Sequence, residues 1–139
     1  MKPTLTTLLC ILFLQCFAQQ NYQPGAVQKI SGETVQGWID YRAWLRNPKS
    51  IRFKESEDGT ATTFTVFDLS SFAVTGKESY KKAIVSKDMR PVEEANISID
   101  TRDTTAIDTV FLRLITEGQR LGLYELIDEK THYYIKDST

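Results

Sequence analysis

The sequence has 139 residues, of which 41% are hydrophobic, and this length corresponds to one domain. It carries 17 lysine and arginine residues against 18 aspartate and glutamate residues, so the net charge is −1. A balanced charge offers no basic face for nucleic acid and no polybasic patch for an anionic membrane. We therefore expect neither as a partner.

Residues 1–18, MKPTLTTLLCILFLQCFA, have the features of a secretory signal. Lys2 supplies the positive start, a short apolar run follows, and small residues end at Ala18. The run is shorter than the ~20 residues of a membrane-spanning helix. We predict cleavage after Ala18 and export to the periplasm, the outer-membrane surface or the exterior. The alternatives are an uncleaved anchor and lipid attachment at Cys16, where Gln15 fits the lipoprotein pattern poorly.

Residues 19–139 are predicted to form a single β-rich domain without a membrane span. Both cysteines, Cys10 and Cys16, lie in the predicted signal. The mature chain is then expected to have no disulfide, no thiol nucleophile and no thiolate metal site.

Apolar residues in the mature chain alternate with a period of two, as at Ile51 and Phe53, and this period is typical of strands. Residues 110–115 are apolar on both faces, which favours a strand buried on both sides. Short turns at 117–119 and 128–130 predict that the last three strands form an antiparallel meander. The predicted fold class is all-β: a small antiparallel sheet, sandwich or half-barrel of roughly seven to eight strands.

Two stretches do not have a strand pattern. Residues 68–72 are predicted to form a short helical turn, with Asp68 as its cap. Residues 86–108 are polar, contain Pro91 and predict one long polar loop, with a weak strand candidate at 97–99.

Catalytic motifs are missing from the sequence. The single histidine, His132, lies in a predicted strand, and no Gly-x-Ser-x-Gly elbow is present. We therefore predict that the protein is not an enzyme. The retained exception is a hydrolase built on two acidic residues such as Asp40 and Glu125.

Metal and cofactor motifs are also missing. One histidine without cysteine does not supply the usual zinc sets. Asp100, Asp103 and Asp108 could offer oxygens to Ca²⁺, but their spacing is not that of a calcium-binding loop. Without a glycine-rich phosphate cradle or a dinucleotide fingerprint, we predict no metal and no cofactor.

The stretch from residue 31 to 53 contains three aromatic candidates for ligand binding, Trp38, Tyr41 and Trp44. An exposed indole with polar neighbours suits the flat face of a sugar ring. The alternative is that Trp38 and Trp44 cover a second apolar layer of the sheet. Asn47-Pro48 then ends the excursion, because proline disfavours helix in the residue before it.

The stretch GETVQGWIDYRAWLRNPKSIRFK resembles the opening of a family of exported Bacteroidetes proteins of unknown function. The later segments FDLSSFAV, VFLRLITEGQRLGLYEL and HYYIK fit the same family in order. The resemblance implies a β domain that often precedes an outer-membrane barrel, so the chain is either a short member or the first part of a longer protein. It implies no catalytic residues. The shared residues are Gly37, Trp38, Asp40, Tyr41, Trp44, Asn47 and Pro48.

The tripeptide Asp103-Thr104-Thr105 is similar to the O-glycosylation sequon of exported proteins of the Bacteroidetes type. Thr104 is the candidate site because its loop is polar.

Together these observations predict an exported, non-enzymatic β domain that acts as a periplasmic or cell-surface interaction module. The expected partner is an envelope or outer-membrane protein. The alternative is a glycan-binding module that uses Trp38, Tyr41 and Trp44.

Overall fold

The computed structural model describes residues 21–89 and 105–137. These residues form nine strands joined into one antiparallel sheet, which confirms the predicted all-β class. The strand order across the sheet is β4-β3-β2-β1-β5-β6-β7-β8-β9. The strands are β1 (Tyr22–Lys29), β2 (Thr34–Asp40), β3 (Ser50–Lys54), β4 (Thr62–Thr65), β5 (Leu69–Val74), β6 (Ser79–Asp88), β7 (Thr105–Glu117), β8 (Leu121–Ile127) and β9 (Thr131–Asp137).

The sheet is curled between β4 and β5. These strands lie four positions apart in the strand order, roughly 19 Å across a flat sheet. Only residues 66–68 connect them, and a link of that length spans at most about 15 Å. The sheet must therefore bend to bring the end of β4 near the start of β5.

The main core lies on the concave face, called the inner face below. Val27, Ile39, Phe72 and Phe111 are each at most 2% exposed and belong to one cluster of buried residues from β1 to β7. Along β1 and β3, buried core residues alternate with more exposed ones. The burial of this apolar surface is the main stabilising contribution to the fold.

A second, smaller cluster lies on the opposite, outer face of β6, β7 and β8. Leu112 and Tyr124 are its most buried large members, at 2% and 1% exposure. Phe111 and Leu112 are consecutive yet belong to different clusters, so β7 is buried on both faces as the sequence predicts. The last three strands also form the predicted meander.

The predicted helical turn at residues 68–72 is wrong, because β5 begins at Leu69. Leu69 and Phe72 are both buried, and a spacing of three resembles a helical period. A bulge in the β1–β5 pairing causes it: Gln28 is opposite Ser71, whereas the next residue, Lys29, is opposite Leu69.

The predicted long loop at 86–108 is shorter than expected at both ends, since β6 continues to Asp88 and β7 starts at Thr105. Nine-residue pairing between these two strands extends the sheet into that stretch. The weak strand candidate at 97–99 lies outside the described residues. No helix long and apolar enough to cross a membrane occurs within the two described ranges.

Candidate functional site

Trp44 lies in the loop between β2 and β3 and covers part of the inner core. Its ring meets the rings of Tyr41, Phe72 and Tyr80 edge to face, at centroid distances of 5.2, 5.9 and 5.8 Å. Such pairs add to the hydrophobic contribution of burial. Trp44 and Tyr41 are partly buried and packed against the core cluster. Their position agrees with the interpretation that this loop covers an apolar layer.

Trp38 points to the outer face, because it precedes Ile39, which is fully buried on the inner face. The strand register places it between Pro24 of β1 and Lys54 of β3. Its side chain is half-buried. The structure therefore does not bring the three predicted aromatic residues onto one surface, and ligand binding by any of them stays a prediction.

The two carboxylates of the predicted hydrolase set lie on strands that are not neighbours, β2 and β8. Asp40 accepts a hydrogen bond of 2.8 Å from Arg42, and Glu125 accepts one from Arg113. Both carboxylate side chains are nearly buried. Each one is held by its own arginine.

Arg113 also connects Glu125 to a polar group beneath Trp44. It donates a second bond of 3.0 Å to Glu78, which accepts a further bond of 3.0 Å from the Tyr80 hydroxyl. Burial, reinforced by the nearby Glu78 carboxylate, raises the pKa of Tyr80. The phenol therefore stays neutral and donates to Glu78.

Asn47 occupies a gap between β7 and β8, where the register ends at Arg113 opposite Glu125. Its Nδ2 donates to the carbonyls of Phe111 (2.7 Å) and Glu125 (2.9 Å). Its Oδ1 accepts from the Ile127 N–H at 2.9 Å, and its own N–H donates to the Ile127 carbonyl at 2.9 Å. Asn47 thus satisfies backbone groups that the two diverging strands leave unpaired.

A cavity of about 640 Å³ lies beside Asn47. It is bounded by residues 46–49, the β4–β5 turn, the end of β6, residues 108–111 within β7, and the β8–β9 turn. Small-molecule sites have volumes of roughly 300–1,000 Å³, so its size alone permits a ligand. The charged residues that line the cavity determine which kind of ligand it could bind.

Lys87 connects the two sides of this cavity. Its Nζ lies 2.8 Å from Asp108 on β7 and 3.2 Å from Asp128 in the β8–β9 turn. Nε2 of His132 lies 3.5 Å from the other oxygen of Asp128. The ion pairs of Lys87 with the two aspartates tie the β6–β7 pair to the β8–β9 turn.

The pKa values of these groups follow from the contacts. The hydrogen bond from Lys87 lowers the pKa of Asp108, and the same bond raises the pKa of Lys87. Burial by itself raises the pKa of Asp128, but the bonds from the Lys130 N–H and from Lys87 outweigh it, and the pKa is lowered. Both aspartates are therefore held in the ionised form.

The predicted calcium candidates fall in different parts of the chain. Asp108 pairs with Lys87, whereas Asp100 and Asp103 lie outside the described residues, as does the candidate glycosylation site Thr104. Within residues 21–89 and 105–137, no three histidine, cysteine, aspartate or glutamate side chains are placed to hold a metal ion.

The backbone of β9 has one side with which no other described strand pairs. Ile127 on β8 directs its N–H and C=O toward Asn47, away from β9. Thr131 is opposite Ile127, so the two form a non-hydrogen-bonded pair. In such a pair the N–H and C=O groups of both residues point away from the partner strand. Every second residue repeats this direction, so Thr131, Tyr133 and Ile135 direct their backbone groups outward.

Exposed apolar side chains accompany these outward backbone groups. Tyr133 is 65% exposed and Ile135 is 73% exposed. Ile135 is opposite Leu123 of β8, and the neighbouring Leu121 is 56% exposed on the same face. Edge strands of natural proteins commonly carry charge or proline that discourages pairing, and these central positions of β9 carry neither.

The alternation of residues 132–136 predicts a strand at β9 but does not predict that this strand lies at the edge of the sheet. Its period of two separates Tyr133 and Ile135 from His132 and Tyr134, yet both sets contain apolar rings. Only the strand order shows that β9 pairs with β8 and, among the described strands, with no other. The alternation in the sequence therefore predicts that β9 is a strand, but not where this strand lies in the sheet.

Comparison with known proteins gives no match: no family model, no curated protein and no solved structure is similar to this chain. The resemblance to exported Bacteroidetes proteins stays a prediction.

Proposed function

We propose that the protein is an exported, non-enzymatic interaction module that binds an extended strand of a partner along the outer edge of β9. The partner belongs to the exported and envelope proteins that the signal-like residues 1–18 would bring it to. The observation that carries the proposal is the coincidence of outward backbone groups and exposed apolar side chains at Tyr133 and Ile135.

Strand addition explains how such an edge binds. Backbone hydrogen bonds supply affinity, and alternate side chains supply specificity. On β9 the residues that offer backbone groups also carry the exposed Tyr133 and Ile135 side chains. A partner strand would cover both features at once.

Site-specific photocrosslinking tests the proposal. A photoreactive residue at position 135 in the full, exported chain is expected to form a covalent product in intact cells, and mass spectrometry identifies the partner. Position 84 is the matched control, because Ile84 is also 73% exposed but lies on the interior strand β6. The same products from both positions, or none from position 135, would contradict the proposal.

Glycan binding is a second proposal, and it rests on Trp38 alone. Its indole has no ring partner among the described residues and lies between Pro24 and Lys54 on the outer face. Trp38→Ala is expected to abolish saturable binding to an envelope polysaccharide while the circular dichroism spectrum stays unchanged. Trp44→Phe, which keeps a ring in the core, serves as the control, and equal binding by wild type and Trp38→Ala would exclude this role.

A further inference from the structure

We infer that the partner strand on β9 is the β9 of a second copy of the chain, so that two sheets join into one across a twofold axis. This inference rests on the proposed function, and it names the partner. It is carried by the order of side chains in β9, which is complementary to itself when the strand is reversed.

The register follows from which residues point outward. Outward residues of one strand must pair with outward residues of the other, so Tyr133 and Ile135 can only meet each other or residues of the same set. An antiparallel pairing centred on Tyr134 places Tyr133 opposite Ile135 of the second copy, and Ile135 opposite Tyr133. Both exposed apolar pairs are then covered, and an aromatic residue opposite a β-branched one is a favourable cross-strand pair.

The two nearest alternative registers are less favourable. A pairing centred on Tyr133 places Lys136 opposite Lys130 and Asp137 opposite Glu129, and like charges that face each other are destabilising. A pairing centred on Ile135 places Tyr133 opposite Asp137, which leaves an apolar ring beside a carboxylate. The Tyr134-centred register brings no two like-charged lysine or acidic residues together within Thr131–Asp137.

The resulting interface is isologous: each copy contributes the same edge, and the assembly closes at two. Continued growth of the sheet would require pairing at its other outer strand, β4. That strand has only four residues, so it offers little backbone for further pairing. The pairing also removes the exposed edge of the longer outer strand.

Cysteine crosslinking tests the register. Two full-length variants, Tyr133→Cys and Ile135→Cys, are made in a background with Cys10→Ser and Cys16→Ser. Opposed residues of a hydrogen-bonded pair have Cα atoms roughly 5.5 Å apart, within the range of a disulfide. After mild oxidation, the mixture of the two variants is expected to give at least about tenfold more covalent dimer than either variant alone.

Two other patterns overturn the register. Self-crosslinking of Tyr133→Cys alone identifies the Tyr133-centred pairing, and self-crosslinking of Ile135→Cys alone identifies the Ile135-centred one. Absence of covalent dimer in all three samples overturns self-pairing itself. A product at position 135 with a different protein would then leave the proposed function in place, so the two failures are distinguishable.

Light scattering provides a second measurement without cysteine. The wild-type chain is expected to double in mass as its concentration rises, Ile135→Asp to stay monomeric, and the control Ile84→Asp to dimerise like the wild type. Equal masses for the wild type and Ile135→Asp at every concentration would overturn the inference.

Discussion

At the scale of single residues, Asn47 has the clearest structural role. Its side chain replaces the missing ladder bonds between β7 and β8, whose carbonyls would otherwise be buried without donors. From the sequence, Asn47 is predicted only to end the excursion after β2, because Pro48 follows it. Its hydrogen-bond partners are not predictable from local sequence, because they lie 64 to 80 positions away along the chain.

Asn47→Asp tests this role with almost no change in shape. The new carboxylate keeps the acceptor for Ile127 but loses both donors and places negative charge against the carbonyls of Phe111 and Glu125. We expect the free energy of unfolding in urea to fall by about 2–3 kcal/mol, since buried acceptors lose their donors. Asn21→Ala, at an exposed site, is the control. A loss for Asn47→Asp no larger than that of the control would contradict the account.

At the scale of strands, close approach between β2 and β3 depends on a residue without a side chain. A Cβ at Gly37 would meet the carbonyl oxygen of Lys54 and the ring of Phe53. The ring is buried core and the carbonyl is backbone, so neither can move at low cost.

Gly37→Ala is therefore expected to destabilise the protein by about 2 kcal/mol or more, because overpacking displaces buried groups. Gly118→Ala is the matched control, since a Cβ there would lie 3.4 Å from the Leu121 carbonyl oxygen, in ordinary contact. The two midpoints of thermal unfolding compare them directly. If Gly37→Ala unfolds at the same temperature as Gly118→Ala, the claim that β2 and β3 leave no room for a side chain at residue 37 is contradicted.

Strand identity was predictable from the alternation of apolar residues, but irregular pairing was not. In β5 the bulge at Ser70 places Leu69 and Phe72 on the same buried face, which breaks the strand alternation over residues 68–72, where a helical turn was wrongly predicted. Asp68 accepts hydrogen bonds from the N–H and the hydroxyl of Thr65, three residues earlier. It therefore closes a turn behind it instead of capping a helix ahead of it.

At the scale of the whole molecule, Lys87 joins two parts of the sheet that diverge around the cavity. The pKa values of Asp108 and Asp128 lie below the ordinary aspartate value, so the unfolded chain binds protons more readily than the folded one. The stabilising contribution is complete above the unfolded pKa of about 3.9 and is lost as the pH falls through the folded values.

Lys87→Met removes the cation that lowers both pKa values. We expect the free energy of unfolding to decline less steeply between about pH 5 and pH 2 in this variant than in the wild type. Lys136→Met, at an exposed position of β9, is expected to keep the wild-type slope. Parallel slopes for Lys87→Met and the wild type would show that the ion pairs do not contribute.

The all-β class and the final meander follow from the sequence, because the period of two and the short turns are local signals. The strand order and the curl do not, since they depend on the three-residue link between β4 and β5 and on contacts of Asn47 with distant strands. The outer position of β9 belongs to this second group. Local sequence therefore does not predict the edge, whereas residue type alone makes Trp38, Tyr41 and Trp44 candidates for ligand binding.

Amide hydrogen exchange along β9 tests the central claim in its most specific form, that the outer edge of β9 pairs with the same edge of a second copy. In dilute solution we expect slow exchange at His132 and Tyr134, which bond to β8, and fast exchange at Tyr133 and Ile135. At high concentration the Tyr133 and Ile135 amides are expected to become slow as well. Slow exchange of these two amides in the dilute monomer, or fast exchange at the highest soluble concentration, would contradict the claim.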